Sequence, residues 1–288
     1  MLGQSRTPAV LVLQDGTRYK GWQYGREGIT IGEIVFNTSM TGYQEILTDP
    51  SYHKQMITMT TPHIGNYGVN REDMESDAVY ASGFVLKAPS RVPSNWRADS
   101  GLEEWLIEKG VVGICGVDTR ALVRRIRSEG VMLGVIAPGD SSDEVIARSF
   151  ESEPSMAGRD LASEVTCEAP YVWTEGLVDY ESSDEMVSAN GGFKVVAVDF
   201  GIKRNILRLL VAAGCDVTVV PSNTTASDIL AMKPEGVFLS NGPGDPAAVS
   251  YALDTIKALL GRLPVFGICL GHQLACLAMG ATTYKMDF

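Results

Sequence analysis

Several features typical of membrane or nucleic-acid-binding proteins are missing from this sequence. No apolar run approaches the roughly 20 residues that a membrane-spanning helix needs. The 24 lysine and arginine residues form no cluster, and the formal net charge of −11 lacks the basic footprint that phosphate binding requires. We therefore expect neither a membrane nor a nucleic acid as a partner.

Cysteine usage and the first residues favour a reducing compartment. The five cysteines are spaced irregularly, without a Cys-x-x-Cys pair, and are Cys115, Cys167, Cys215, Cys269 and Cys276. Such thiols are typical of proteins without disulfides. The first residues lack the basic region and long apolar block of a secretion signal, so we expect a cytoplasmic protein. The phosphate-binding patterns GxGxxG and GxxxxGKS/T are also missing, which argues against nucleotide binding by this chain.

Length and composition predict two soluble domains. A chain of 288 residues, 45% hydrophobic and 20% charged, is long enough for two cores. Between Asp160 and Gly192 there is no lysine or arginine, acidic residues accumulate, and Asn190-Gly191-Gly192 ends the stretch. We predict an amino-terminal domain over 1–155, a solvated acidic connector over 156–192 and a second domain over 193–288.

The first half of the chain has the pattern of a β-rich domain with a few helices. Period-two alternation and glycine, proline and asparagine punctuation predict strands over 9–13, 30–36, 55–60 and 80–86. Asp15-Gly16 is predicted as a tight turn after the first of them. Helical spacing, followed in each case by glycine, predicts helices over 102–109 and 119–128.

Strands and helices alternate in the second half. Continuous apolar runs predict strands over 195–198, 217–220, 236–239 and 265–268, and amphipathic segments predict helices over 206–213, 226–232, 247–260 and 274–279. Alternation with buried runs indicates a largely parallel sheet covered on both faces. The predicted fold class is α/β, with a β-rich mixed amino-terminal domain followed by the parallel-sheet domain.

The segment Val265-Phe-Gly267-Ile-Cys269-Leu-Gly271-His-Gln273 has the pattern of a nucleophile elbow. Small residues two positions to either side of Cys269 allow a sharp turn between strand and helix. Amide groups and the positive dipole end of the following helix favour a thiolate and can stabilise an oxyanion. The alternative is that Cys269, like the other four cysteines, is a buried small hydrophobe and that the glycines only shape a turn.

A second glycine-rich loop, Ser240-Asn-Gly242-Pro-Gly244-Asp-Pro246, follows the preceding predicted strand. In a parallel sheet it belongs at the same carboxyl edge as the elbow, where such folds place their sites. Its backbone N–H groups could form an oxyanion hole, although an ordinary turn remains the alternative.

These two segments resemble the class I, or triad, glutamine amidotransferases. In the first half, the string from Gly32 to Tyr52, which contains Asn37-Thr-Ser-Met-Thr-Gly-Tyr-Gln-Glu, and Pro62-His-Ile-Gly-Asn66 are similar to carbamoyl-phosphate synthetase small subunits. Asp118-Thr-Arg120 and Asp199-Phe-Gly-Ile-Lys-Arg-Asn205 agree with that resemblance, which covers residue 9 to the last residue.

The resemblance implies that this chain hydrolyses glutamine and passes ammonia to a large synthetase subunit, its partner. Cys269 matches the thiol that attacks L-glutamine. Gly242 and Leu270 match residues whose main-chain N–H groups face the oxyanion. Gln273, Gly244 and Ser51 match substrate-holding positions. The resemblance implies no cofactor or metal in this chain, and places ATP and magnesium on the large subunit.

The family's proton shuttle is a histidine oriented by a glutamate, both well after the elbow. This sequence ends at Phe288 without them, so we expect a truncated chain with an incomplete amidotransferase domain, inactive or impaired alone. His272 shares the helix of the elbow and is poorly placed to act as the base. His53 and His63 match no triad position.

Two alternatives stay open at this point. One is another triad amidotransferase, which the string at 38–51 disfavours. The other is a catalytically silent binding subunit. Whether the carbamoyl phosphate would serve arginine or pyrimidine synthesis also stays open.

Overall fold

The computed structural model describes residues 6–154, 156–177 and 192–286. The chain divides into two compact units, one built mainly from residues up to 155 and the other from Met156 to Lys285. In the described part of the chain no helix combines the length and apolar character that crossing a membrane requires.

The first unit is strand-rich, as the sequence predicts. Its strands are β1 (Pro8–Leu13), β2 (Arg18–Gly25), β3 (Thr30–Asn37), β4 (Gln55–Met59), β5 (His63–Ile64), β6 (Gly83–Val85), β7 (Ala88–Pro89), β8 (Val112–Cys115) and β9 (Leu133–Pro138). Its helices are α1 (Tyr43–Thr48), α2 (Leu102–Glu108), α3 (Thr119–Glu129) and α4 (Asp143–Ser152), with a 3-10 turn at Pro50–Tyr52.

Strands of the first unit close into a barrel in the order β1-β2-β8-β6-β4-β3-β9. Its strands contribute fully buried side chains to one apolar cluster that includes Leu11, Ile34, Met56 and Ile114. The tight turn predicted at Asp15-Gly16 joins β1 to β2, with Gly16 at φ 85°. β2 is not among the predicted strands. A Cβ at its Gly21 would collide with the Cys115 carbonyl, so the position requires glycine. Because glycine has no apolar side chain, the position gives no sign of a strand in the sequence.

The second unit contains a sheet in the order β10-β12-β11-β13-β14, in which β12, β11, β13 and β14 run parallel. Its strands are β10 (Tyr171–Trp173), β11 (Phe193–Asp199), β12 (Cys215–Pro221), β13 (Gly236–Leu239) and β14 (Val265–Gly267). Its helices are α5 (Ala162–Val165), α6 (Arg204–Ala212), α7 (Ala226–Ala231), α8 (Tyr251–Leu259) and α9 (Leu270–Ala278), with a 3-10 turn at Pro246–Ala248. The predicted fold class is confirmed for both halves.

Part of the range predicted as a connector has regular structure. Helix α5 and strand β10 lie between residues 156 and 177, and β10 pairs antiparallel with β12 at the edge of the second sheet. The more acidic part of the range, including Asp179, Glu181, Asp184 and Glu185, lies outside the described residues. The domain boundaries stay a prediction.

Candidate active site

Cys269 lies between the end of β14 and the start of α9, in the N-cap position of that helix. Its backbone has φ 50° and ψ −111°, a region that residues other than glycine rarely adopt. The residue is exposed. A side chain held in a rare backbone conformation and open to solvent is typical of a functional nucleophile.

The two glycines of the elbow are required by close packing. A Cβ at Gly267 would lie 2.6 Å from the Gly271 carbonyl carbon, and a Cβ at Gly271 would lie 2.7 Å from the Leu239 Cβ. Real Cβ atoms do not approach other atoms this closely, so any larger residue would force the backbone apart. The turn at Cys269 therefore depends on glycine at both positions, for the steric reason that the sequence indicates.

Hydrogen bonds join the elbow to the loop that follows β13. The Gly271 N–H donates to the Ser240 carbonyl at 2.9 Å, and the Ile268 N–H donates to the Leu239 carbonyl at 3.1 Å. A Cβ at Gly242 would lie 3.0 Å from Leu270 Cδ2. The structure thus brings Gly242 and Leu270, both predicted as oxyanion-binding residues, into direct proximity.

Leu270 is the first residue of α9 and is buried, whereas Gln273 is exposed on the same helix. The amide groups in the first turn of a helix have no carbonyl partner within it, and the dipole there favours negative charge. The Gln273 N–H is already used, since it donates to the Cys269 carbonyl at 3.0 Å. The Leu270 amide stands at the helix end, next to the thiol-bearing residue.

Gly244 lies in the same loop with φ 94°, a left-handed conformation that glycine adopts at little cost. A Cβ there would lie 2.9 Å from the Arg159 carbonyl oxygen and 3.2 Å from the Leu161 Cβ. The adjacent Asp245 accepts a hydrogen bond from the Gly158 N–H at 3.0 Å. Residues 158–161, within the predicted connector, therefore pack against the loop that carries the candidate site.

Asp199, at the carboxyl end of β11, is a buried carboxylate that belongs to the family-like string 199–205 but to which the sequence assigns no role. It is 4% exposed and accepts hydrogen bonds from the N–H groups of Gly201, Ile202 and Cys167, each at 2.8 Å. The available signal was an aspartate at the end of a buried strand, followed two residues later by glycine. That pattern is typical of an aspartate that caps its own turn.

The other cysteines have different surroundings from Cys269. Burial raises the pKa of the Cys115 thiol, and burial together with the nearby Asp199 carboxylate raises the pKa of Cys167 to about 12. Burial also raises the pKa of Cys215. These three thiols are poor nucleophiles at neutral pH, because the thiolate is the reactive form.

None of the three histidines of the chain lies in the glycine-rich loop 240–246. His272 is exposed on α9, with Nε2 3.7 Å from the Cys276 Sγ. His53 packs edge-on against Tyr80 in the first unit, and His63 is exposed in β5.

Ser51, predicted to hold substrate, also lies in the first unit. It occupies the 3-10 turn Pro50–Tyr52, where its N–H donates to the Asp49 carboxylate at 2.9 Å. Its role toward glutamine stays a prediction.

Two family profiles match the chain. Residues 11–136 match "Carbamoyl-phosphate synthase small chain, CPSase domain", and residues 196–288 match "Glutamine amidotransferase class-I". The second match includes the last four residues of β11, all of β13 and β14, and both glycine-rich segments of the candidate site.

Curated relatives match along nearly the whole chain. A carbamoyl phosphate synthase small chain from Syntrophotalea carbinolica is 55% identical over 97% of this chain and 74% of its own length. One from Xanthomonas axonopodis pv. citri is 49% identical over 97% of this chain and 76% of its own length. The chloroplastic small chain of Oryza sativa subsp. japonica is 49% identical, over 97% of this chain and 63% of its own length.

Proposed function

The chain belongs to the family of carbamoyl phosphate synthase small chains, and from that premise we propose that it is the glutamine-hydrolysing subunit of such a synthase. The observation that carries the proposal is the placement of Cys269. It is exposed, has φ 50°, and precedes the first amides of α9. A nucleophile with these properties suits acyl transfer from a carboxamide.

In the proposed reaction the Cys269 thiolate attacks the side-chain carboxamide carbon of glutamine. The carbonyl π electrons move to oxygen, and the N–H groups of Gly242 and Leu270 stabilise the oxyanion. Protonation of the nitrogen releases ammonia and leaves a γ-glutamyl thioester on Cys269. Water then attacks the thioester, so that glutamate leaves and the thiol is restored. Gln273, Gly244 and Ser51 are proposed to hold the substrate.

Ammonia is proposed to pass to a large synthetase subunit that binds ATP and magnesium and makes carbamoyl phosphate. That product would serve arginine or pyrimidine synthesis, in the cytoplasm. The proposal rests on the family shared with the relatives, which are small chains of carbamoyl phosphate synthase.

Both halves of this reaction need a group that moves protons. His272 lies on the helix of the elbow and contacts Cys276, while His53 and His63 lie in β-rich parts of the first unit. We therefore propose that the 288-residue polypeptide by itself turns glutamine over slowly, even though its thiol is presented for attack.

A serine substitution tests the role of Cys269. In an assembly with the large subunit, Cys269→Ser is expected to lower the slow glutamine hydrolysis to the background rate, because the nucleophile is lost. Carbamoyl phosphate synthesis from added ammonia should persist, since that route bypasses the thiol. Glutamate release and carbamoyl phosphate formation are the two measurements.

Cys276→Ser is the matched control, because it removes a thiol from the same helix. It should leave both rates within about twofold of the unmodified protein. Equal losses in the two variants would contradict the proposal. A catalytically silent subunit would instead show no hydrolysis in any form and no selective labelling of Cys269 by a glutamine-analogue electrophile.

A further inference from the structure

Three loops meet at the carboxyl ends of neighbouring strands in the second unit, and one buried side chain holds the first of them. Asp199 ends β11, Ser240 follows β13, and Cys269 follows β14. β13 pairs with both β11 and β14. The loop after β13 therefore lies between the turn after β11 and the elbow after β14. A change at the end of β11 could reach the elbow through this loop.

Asp199 fixes the turn that follows β11. Its Oδ1 accepts hydrogen bonds from the N–H groups of Gly201 and Ile202, both at 2.8 Å. Gly201 has φ 118°, a backbone conformation that residues with a side chain rarely adopt. A buried carboxylate satisfied by backbone amides is a strong local constraint, because the amides lose their partners if it is removed.

The turn 200–202 forms hydrogen bonds with the loop after β13. The Phe200 N–H donates to Ser240 Oγ at 2.8 Å, and Ser240 Oγ donates to the Asn241 carbonyl at 2.7 Å. Asn241 Nδ2 donates to the Gly201 carbonyl at 2.9 Å. The Asn241-Gly242 peptide is thereby held from two sides by the turn that Asp199 caps.

Close packing leaves the Gly242 peptide little freedom against this turn. A Cβ at Gly242 would collide with the Phe200 carbonyl, so only glycine allows the approach. On its other side Gly242 lies next to Leu270, and the Ser240 carbonyl accepts a hydrogen bond from the Gly271 N–H. A shift of the turn after β11 would therefore displace the Gly242 amide relative to the elbow.

We propose that Asp199 is a positioning residue for catalysis, which fixes the turn 200–202 and, through it, the Gly242 amide that faces the oxyanion. The inference rests on the proposed function, because it assigns the oxyanion role to Gly242. Asp199 itself is buried and acts through the loop after β13, so it does not touch the substrate. Misplacement of a catalytic group by about 1 Å can cost about a hundredfold in rate.

The test compares two electrophiles that react with Cys269. In a glutamine analogue that carries a chloromethyl ketone in place of the carboxamide, the thiolate adds to the ketone and forms an oxyanion. Sulfur then moves to the adjacent carbon: a C–S bond forms there as chloride leaves, and the C–S bond to the carbonyl carbon breaks as the oxyanion electrons restore the ketone. Iodoacetamide instead loses iodide in a direct displacement that forms no oxyanion. Both rates depend on the exposure of the thiol, but only the ketone rate depends on the N–H groups that stabilise the oxyanion. The ratio of the ketone rate to the iodoacetamide rate therefore measures the contribution of those N–H groups.

In the full chain, Asp199→Ala is expected to lower the ketone rate about tenfold to a hundredfold and to leave the iodoacetamide rate within about twofold. Asp199→Asn should restore most of the ketone rate, because its amide oxygen can still accept from Gly201 and Ile202. Thr166→Val is the matched control: it removes a 2.6 Å hydrogen bond to the Asp199 carbonyl and spares its carboxylate. It should leave the rate ratio unchanged.

Ser240→Ala is a second variant, for use if Asp199→Ala does not fold. It weakens the same link from the loop after β13, so it should also lower the ratio of the ketone rate to the iodoacetamide rate. Unchanged ratios in both folded variants, beside a strong ketone preference in the unmodified chain, would overturn the inference and leave the proposed function standing. Ketone labelling that survives Cys269→Ser at full rate would overturn both.

Discussion

Each unit buries a network of polar side chains, and the two networks hold different parts of the chain. In the first unit, Gln44 donates to the Asn70 carbonyl at 2.5 Å and accepts from the Asn70 N–H at 3.0 Å. Thr48 accepts from the Glu75 N–H at 2.9 Å, so helix α1 is tied to the chain near residues 70–75. In the second unit, Asp199, Ser240 and Asn241 tie strand ends to one another.

The physics of the two networks is the same, because buried polar groups must find partners. The difference lies in what stands beside them. The network of the first unit lies against the apolar cluster that contains Tyr43 and Leu47. The network of the second unit reaches the elbow, because the Ser240 carbonyl accepts from the Gly271 N–H, two residues after the exposed Cys269 with its positive φ. Buried polarity alone therefore does not distinguish the two regions, whereas an exposed thiol close to backbone amides that buried side chains hold is found in the second unit.

The largest effect that we expect from this comparison is in thiol reactivity. Iodoacetamide at pH 8 should modify Cys269 at least about a thousandfold faster than Cys167. The reason is that burial and Asp199 raise the pKa of Cys167 to about 12, which leaves a very small thiolate fraction. Cys115, in the first unit, should also react more slowly than Cys269, because it is buried and burial raises its pKa.

Peptide mass spectrometry over a time course measures these rates residue by residue. In urea the cysteines should react at similar rates, since burial and the Asp199 contact are then lost. Comparable rates for Cys269 and Cys115 in the folded protein would remove the distinction between the two regions.

The sequence predicts local features of this site better than distant ones. The elbow at Cys269 is visible because Gly267 and Gly271 stand two positions away from it, and the structure shows a close-packing reason for each. The role proposed for Asp199 is not visible, because it acts through contacts of its turn, at Phe200 and Gly201, with Ser240 and Asn241, some 40 residues away. Pairing over such distances leaves no periodic trace in the chain.

The fold shows the same limit. Strand and helix alternation after residue 193 predicts the parallel sheet, because each element carries its own apolar pattern. The packing of residues 158–161 against Gly244 is hidden, because the surrounding acidic composition is typical of solvated chain. Closure of the first unit into a barrel depends on β2, whose Gly21 gives no apolar signal.

A smaller effect is expected on stability when the network of the first unit is broken. Gln44→Ala removes the partners of two backbone groups of Asn70 in a site where Gln44 is fully buried. The free energy of unfolding should fall by about 2–4 kcal/mol. Urea denaturation measures it.

Gln14→Ala is the matched control, because Gln14 is exposed, and it should change stability by less than about 0.5 kcal/mol. In the folded Gln44→Ala protein, Cys269 should keep its iodoacetamide rate, since the hydrogen bonds that the substitution removes join two residues of the first unit. A parallel loss of Cys269 reactivity would show that the two networks are coupled.

The smallest effect concerns Glu45, a half-buried carboxyl beside the network of the first unit. Burial raises its pKa, and the nearby Asp73 and Glu75 raise it further. A carboxyl whose pKa is higher in the folded state binds its proton more tightly there. Its contribution to stability is therefore full below the unfolded-state pKa and is lost as the pH rises through the folded-state pKa.

Glu45→Gln cannot lose a proton, and its amide would face acidic neighbours as a donor. We expect its Tm at pH 7 to exceed that of the unmodified protein by about 1–3 °C, with the gap closing toward about pH 4. Glu27→Gln, at an exposed position, removes the same charge and should shift Tm by less than about 1 °C. An equal gain from both variants would mean that relief of the net charge of −11, and not burial of Glu45, causes the effect. Thermal unfolding across this pH range therefore tests whether the partial burial of the Glu45 carboxylate destabilises the first unit. In the second unit, by contrast, backbone N–H groups satisfy the Asp199 carboxylate.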